Sequence, residues 1–314
     1  MTQIGLMIEG QDGLNWERWD KLLNAAENLG YFGLFRSDHF TNPNPPDKDS
    51  LELWVSLTYA ATHTQRIEFG QLVSPITFRH PSMMVRMAAA ISDLSNGRYI
   101  YGLGAGWQER EHTNFGIPFY DFPTRYAMLE DGLEVTSRLL RSDAPVSYDG
   151  EHFSLNEAIL LPRPTHVLPI LIGGNGPNKT LPMVAKYADE WNAVYATVDL
   201  YKERTALLDG YLKENGREPG DVTRSLMNGV YLAKDDANLK TLLDSFTARL
   251  GETATVEKVR ARGPFIGTPA MIVDQIGEYV QVGVERFMLQ WLDQDDIDGL
   301  ELMAKAILPH FHDA

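Results

Sequence analysis

The stretch "PILIGGNGPNKTLPMVAKYADEWN", Pro169 to Asn192, opens as an apolar run, breaks into glycines, turns helical and ends where another apolar run begins. Read as strand, loop, helix and strand, it is one unit of a parallel α/β fold, because parallel neighbours need a crossover between them. Pro182 would cost about 3 kcal/mol in a helix interior but is tolerated in the first turn. Thr180 is therefore expected as the N-cap, leaving Gly173 to Lys179 as a glycine-rich loop ahead of the helix. A Walker pattern fails, since Asn178 stands where glycine must precede the lysine. What remains is a bare turn or a set of N–H groups facing an anion. The loop is slightly longer than the ~2–6 residues usual between strand and helix, which favours a phosphate.

The same alternation runs outward in both directions. "QIGLMI", "YFGLF", "RIEFGQLVS" and "RYIYGLGAG" read as strands one to four, "ILIGG" as the fifth, and "EWNAVY", "SLMNGVYLA" and "ERFMLQWL" as six to eight. Asn15 caps a helix whose Trp16, Trp19, Leu22, Leu23, Ala26 and Leu29 fall at helical spacing, with Gly30 as the stop. Leu51 to His63, Pro81 to Leu94, Leu200 to Asn215, Asp236 to Leu250 and Ile297 to Ile307 are further helices. Eight repeats with short strands buried on both faces predict an α/β chain folded as a (β/α)8 TIM barrel, a single domain over 1–314. Two insertions are expected to build over one barrel mouth. The first, about 113–165, follows strand four and carries a helix near Arg125 to Leu140 and a hairpin around "VSYDGEHFSL"; the second, about 251–282, precedes strand eight as a helical pair.

Composition narrows the function classes. The chain has no cysteine, which excludes disulfides, thiolate metal sites, iron–sulfur clusters and cysteine nucleophiles. Lys+Arg 28 against Asp+Glu 43 gives a net charge of −15, which opposes binding to nucleic acid or an anionic membrane. No apolar run reaches the ~18–20 residues of a membrane span, and "MTQIGLMIEG" has no basic leader region, so a soluble cytoplasmic protein is expected.

In a barrel the active site lies at the C-terminal ends of the strands. Strand two ends in "FRSDHF". Neighbouring side chains on a strand point to opposite sides, so Asp38 and His39 cannot orient one another; His39 is either a proton donor or anchor in the mouth or a structural strand-end histidine. The glycines Gly102, Gly104 and Gly106 of "GLGAGW" form no dinucleotide fingerprint, because position 109 is Glu. They let a flat ligand approach the backbone, or simply make a tight turn. Glu109, Glu111 and His112 read as charges complementing a helix start. His310 and His312 read as a solvated tail, and no metal site is expected.

With "GLFRSDHF", "RIEFGQLVSPITFRHP", "LSNGRYIYGLGAGWQEREHTNFGIPF" and "PILIGGNGPNKTLPMVAKYADEWN" in this order, the chain resembles the luciferase-like monooxygenase superfamily, and within it the branch of coenzyme F420-dependent oxidoreductases. The resemblance covers nearly the whole chain. It implies a homodimer, a small-molecule substrate, and hydride exchange with the deazaflavin coenzyme F420. It implies catalytic roles for His39 and Asp38, and a cis peptide at Leu72-Val73 under the ring. Ala105, Gly106 and Trp107 would border the cofactor, while Gly173, Gly174, Asn175 and Gly176 would meet its phosphate. The alternative within the superfamily is an FMN-dependent monooxygenase using reduced FMN and O2, which would need a reductase partner. The chain departs from the sugar-phosphate dehydrogenases of the group: Pro43 and Trp107 stand where those have Trp and Glu, and their phosphate-binding lysines have no counterpart in "NAVYATVDLY". Trp107 with Phe40 and Phe78 suggests a more apolar or aromatic pocket.

Overall fold

A computed structural model describes residues 2–311; His312 lies outside the described residues. Strands β1 (Gln3–Ile8), β2 (Gly33–Arg36), β3 (Glu68–Gln71), β4 (Tyr99–Gly104), β5 (Ile170–Gly173), β6 (Glu190–Val194), β7 (Thr223–Leu232) and β8 (Arg286–Gln290) pair in parallel in that order. The circle closes where β8 pairs with β1, from Gln3↔Arg286 to Met7↔Gln290. The expected barrel is therefore present. Closure satisfies both backbone edges of every strand, and the ring of helices covers the outer face, so the strands need no polar face.

Helices α1 (Trp16–Leu29), α2 (Leu53–His63), α3 (Pro81–Leu94), α4 (Glu109–Asn114), α5 (Phe122–Arg141), α6 (Thr180–Tyr187), α7 (Val198–Glu214), α8 (Asp236–Leu250), α9 (Val256–Arg260), α10 (Pro269–Val280) and α11 (Ile297–Ala306) complete the chain. Asn15 caps α1 by accepting the Arg18 N–H at 3.0 Å, and Gly30 ends it with φ 91°. Among the described residues no helix is long and apolar enough to cross a membrane.

The interruptions are smaller than the sequence suggests. Helix α5 packs between α3 and α6, so it belongs to the barrel's ring and leaves the Val146–Asp149/Ser154–Ala158 hairpin as the added piece. Leu155 and Leu160 of that segment bury against Val85, Ala89, Val135 and Leu139 of α3 and α5. Between β7 and α10, the chain adds a short strand, Phe265–Gly267, paired with Val230–Leu232 of the unusually long β7. Strand three is shorter than expected. It ends at Gln71, the Leu72-Val73 peptide is cis, and pairing resumes only at Ser74-Pro75 against Leu103-Gly104.

The barrel interior is layered. At the N-terminal end of the strands Arg286 donates to Glu68 at 2.9 Å and to Glu190 at 3.1 Å, and lies over the Phe32 ring. Above it sit Met7, Phe35, Leu72, Ile100, Leu171, Met227 and Met288. Burial pushes the Glu190 carboxyl up to about 7 against the opposing pull of Arg286. A folded-state value above the unfolded one means that the folded protein holds this proton more tightly. Stability from this group is thus present below the unfolded value near 4.5 and declines as pH rises through about 7. Glu190→Gln, which cannot ionise, should gain on the parent by roughly 1–3 kcal/mol between pH 5 and pH 8 in thermal unfolding. A gap that stays flat or narrows with pH would contradict the assignment.

Candidate active site

A cavity of about 580 Å³ opens at the C-terminal ends of the strands. Its floor is the top of the interior layer, Met7, Leu72, Val73, Val194 and Met227. The residues after β2 show how strand alternation sorts side chains. Ser37 and His39 face the cavity, while Arg36 and Asp38 face away from it. Arg36 is fully buried beside Trp19, donating to Ser56 Oγ at 2.7 Å and Leu51 O at 2.8 Å. Asp38 accepts from Ser74 Oγ at 2.7 Å and from Arg79 at 2.6 Å. Asp38, expected to be catalytic, thus faces away from the cavity. Its carboxylate is buried in an ion pair that fastens the β2 loop to the segment after β3, and it does not line the cavity.

His39 has a different partner. Its Nδ1 lies 2.9 Å from Glu111 Oε1, and Glu111 Oε2 accepts the Phe40 N–H, also at 2.9 Å. Glu111 is completely buried. Burial alone would lower the pKa of the His39 ring, but the Glu111 hydrogen bond, with the charges of Glu111, Glu9 and Asp38, outweighs it and raises the value above the usual 6.5. With Nδ1 held, Nε2 is the ring nitrogen left to meet a ligand. Trp107, 62% exposed, stands edge-on to the imidazole with ring centroids 5.5 Å apart.

Leu72, Val73, Ala105, Gly106, Trp107, Gly173 and Gly174 all line the cavity. Gly102 and Gly104, however, also make room for protein. A Cβ on Gly104 would lie 2.5 Å from Val73 Cγ2, and one on Gly102 would lie 2.0 Å from Gln71 O. Val73 thus rests on the glycines of β4 and, through Gly173, on β5, with 3.2 Å between its Cγ1 and a Cβ built there.

The loop of the opening stretch divides into two halves. Gly173 and Gly174 reach the cavity, and Gly174 takes φ 126°, a conformation that favours glycine. Asn175 and Gly176 do not line it. The Asn175 side chain donates to Val194 O at 2.6 Å and accepts from Val194 N at 3.0 Å, which locks the loop to the end of β6. Lys179, not Thr180, occupies the cap position of α6, and no side chain caps that helix. Thr180 turns its hydroxyl toward Tyr126 and the glycines instead, so Pro182 still falls within the first turn. Phe40 and Phe78 stack on each other at 4.3 Å but do not line the cavity, so of the three aromatics suggested for the pocket only Trp107 contributes.

Several site residues escaped the sequence reading. Tyr195 donates to Gln290, Gln290 donates to Glu9 at 2.6 Å, and Gln11 donates to Glu9 at 2.9 Å and accepts from Ser37 at 2.9 Å. Asn192, fully buried on β6, also lines the cavity, and its Oδ1 has no partner among the described residues. Tyr195 and Gln290 sit at strand ends, so the barrel rule could have found them, whereas Asn192 lies in the middle of β6. Glu111 and Tyr126 carried no such signal. No group of three or more metal-ligating side chains occurs among the described residues.

The luciferase-like monooxygenase family model matches residues 2–286. The F420-dependent glucose-6-phosphate dehydrogenase of Kineococcus radiotolerans is 26% identical over 310 residues, covering 90% of this chain and 90% of that protein. The F420-dependent hydroxymycolic acid dehydrogenase of Mycobacterium tuberculosis is 25% identical over 309 residues, covering 93% and 84%. Among solved structures, an F420-dependent secondary alcohol dehydrogenase in complex with an F420–acetone adduct superposes with a TM-score of 0.84 at 20% identity, covering 99% of each chain. The coenzyme F420-dependent tetrahydromethanopterin reductase from Methanopyrus kandleri gives 0.77 at 19% identity, covering 99% of this chain and 100% of that one. At these identities the structural likeness establishes the fold alone.

The Glu111 pairing has a direct spectroscopic consequence. In Glu111→Gln the largest opposing charge is gone while burial persists, so the His39 pKa should fall from its raised value, read from its ring proton shifts by NMR. An unchanged value would mean that Glu111 does not set the charge on His39.

Proposed function

The chain belongs to the luciferase-like monooxygenase family, and on that premise we propose that it is an oxidoreductase that binds coenzyme F420 and acts on a small organic substrate. The observation that carries this reading is His39 at the cavity wall, with Nδ1 fixed by a buried carboxylate and Nε2 left to a ligand. Two relatives alike over most of their length are named F420-dependent dehydrogenases, which supports the choice of cofactor.

The residues fit a flat, partly polar ring system. The apolar floor of Leu72, Val73 and Met227 suits one ring face, and the orphaned Asn192 Oδ1 offers an acceptor to a ring N–H. Gly173 and Gly174 would hold the phosphate end, with the uncapped N-terminus of α6 and the exposed Lys179 completing an anion site. Ala105, Gly106 and Trp107 would border the ring, while Asn175 supports the loop from behind. When bound, the deazaflavin supplies or accepts the hydride at its C5. His39 gives a proton to the substrate heteroatom in the reducing direction and takes it in the oxidising one. Glu111 keeps the imidazole oriented and stabilises its charged form. Reduction should accordingly fade as pH rises through the raised His39 value, and oxidation should grow over the same range.

The exposed Trp16, Val55 and Met83 on α1, α2 and α3 support a homodimer formed through those helices. The reduced-FMN and O2 reading is kept as the rival and is separated by oxygen consumption with reduced FMN.

His39→Ala should leave the dissociation constant for the deazaflavin within about tenfold and cut turnover by ~10²–10⁴. Unimpaired turnover would remove His39 from the chemistry. Loss of cofactor binding alone would make it an anchor.

A further inference from the structure

Apart from tyrosines, the titratable groups lining the cavity are Glu9, Asp12 and His39; no lysine or arginine among the described residues lines it. Of the arginines on the surrounding elements, Arg79 is held by Asp38 and Glu52, Arg110 by Asp47 and Arg18 by Asp295, while Arg36 and Arg125 are spent on hydroxyl and carbonyl oxygens and do not line the cavity. The two wall carboxylates are fixed in place. Glu9 accepts from Gln290 and Gln11, and Asp12 accepts from Asn42 Nδ2 at 2.7 Å. An anionic substrate would meet this fixed negative charge without a lysine or arginine on the cavity wall to offset it.

The rim is apolar. Trp107 is 62% exposed, Leu292 is 40% exposed, and Pro43 is exposed beside them along the same cavity. A large indole left open at a concave site has contact area to give to a ligand. Trp107 stands edge-on to His39 with ring centroids 5.5 Å apart, so the indole is close to any molecule that reaches the imidazole.

We propose that the substrate is uncharged and largely apolar, a ring-bearing carbonyl compound or its alcohol, held by Trp107, Leu292 and Pro43 with its oxygen toward His39. Glu9 and Asp12 disfavour a phosphorylated or carboxylated substrate, the cofactor's own phosphate being assigned to Gly173 and Gly174. This rests on the function proposed above in taking His39 as the site of proton exchange. In the reducing direction the carbonyl π bond breaks; the carbon receives the hydride from the reduced deazaflavin, and the oxygen receives the proton from His39. Two electrons move from cofactor to substrate, and the alcohol is the product.

The test is calorimetric titration of the deazaflavin-loaded protein with acetophenone, 4-acetylbenzoate and glucose 6-phosphate, alongside steady-state kinetics. Acetophenone should bind at least about tenfold more tightly than either anion. Trp107→Ala should raise its dissociation constant and KM by about tenfold with little change in kcat, measured on protein saturated with the deazaflavin; Trp107→Phe should restore most of the loss. Asp12→Asn should narrow the gap between acetophenone and 4-acetylbenzoate. The proposal is overturned if either anion binds as tightly as acetophenone, if acetophenone fails to bind while the deazaflavin does, or if Trp107→Ala leaves its affinity intact. Failure of the deazaflavin to load would instead remove the cofactor assignment. The same three titrations on FMN-loaded protein would then decide the charge selection by themselves.

Discussion

The site hangs on one buried carboxylate. Glu111 takes a hydrogen bond from the Phe40 backbone with one oxygen and pairs with His39 Nδ1 through the other. Those two contacts tie the loop after β2 to helix α4, which follows β4, across two strands of the barrel. They fix the ring, select which nitrogen meets a ligand, and hold the pKa of the histidine up despite its burial. Breaking a buried pair by removing one partner typically costs about 3–5 kcal/mol. Loss of the Glu111 side chain would therefore loosen the wall of the cavity as well as change its charge.

A second constraint is steric. Val73 leans on Gly102, Gly104 and Gly173, so the ends of β3, β4 and β5 are brought together by the lack of three Cβ atoms. The glycine pattern that resembles a ligand fingerprint is thus spent largely on the protein's own backbone. Its effect on a ligand is indirect: it sets the height and shape of the cavity floor, on which Leu72 and Val73 are displayed. The polar chain from Tyr195 through Gln290 and Glu9 to Ser37 gives the opposite side of the cavity its fixed pattern of hydrogen bonds.

How much of this was legible in the sequence follows from the range of each interaction. The eight strands were readable because parallel strands buried on both faces appear as short apolar runs, and the helices because their caps are local, as with Asn15 and Pro81. His39 was readable from its place at a strand end, and the outward turn of Asp38 follows from the two-residue period. Glu111 was not. Its partner is 72 residues away, and on its own turn it looks like any acid at a helix start. The cap of α6 was misplaced by one residue because Thr180 is drawn toward Tyr126, a contact between distant segments that no local pattern records. Helix α5 was mistaken for part of an insertion because the turn-rich residues before it hide the regular spacing of the barrel.

Binding of the ring tests the central claim most directly. The purified protein would be titrated with coenzyme F420 and, separately, with FMN, following fluorescence. Binding of the deazaflavin at about micromolar or tighter, with clearly weaker binding of FMN, is the expected result. Preference for FMN, with oxygen consumed when that flavin is reduced, would contradict it.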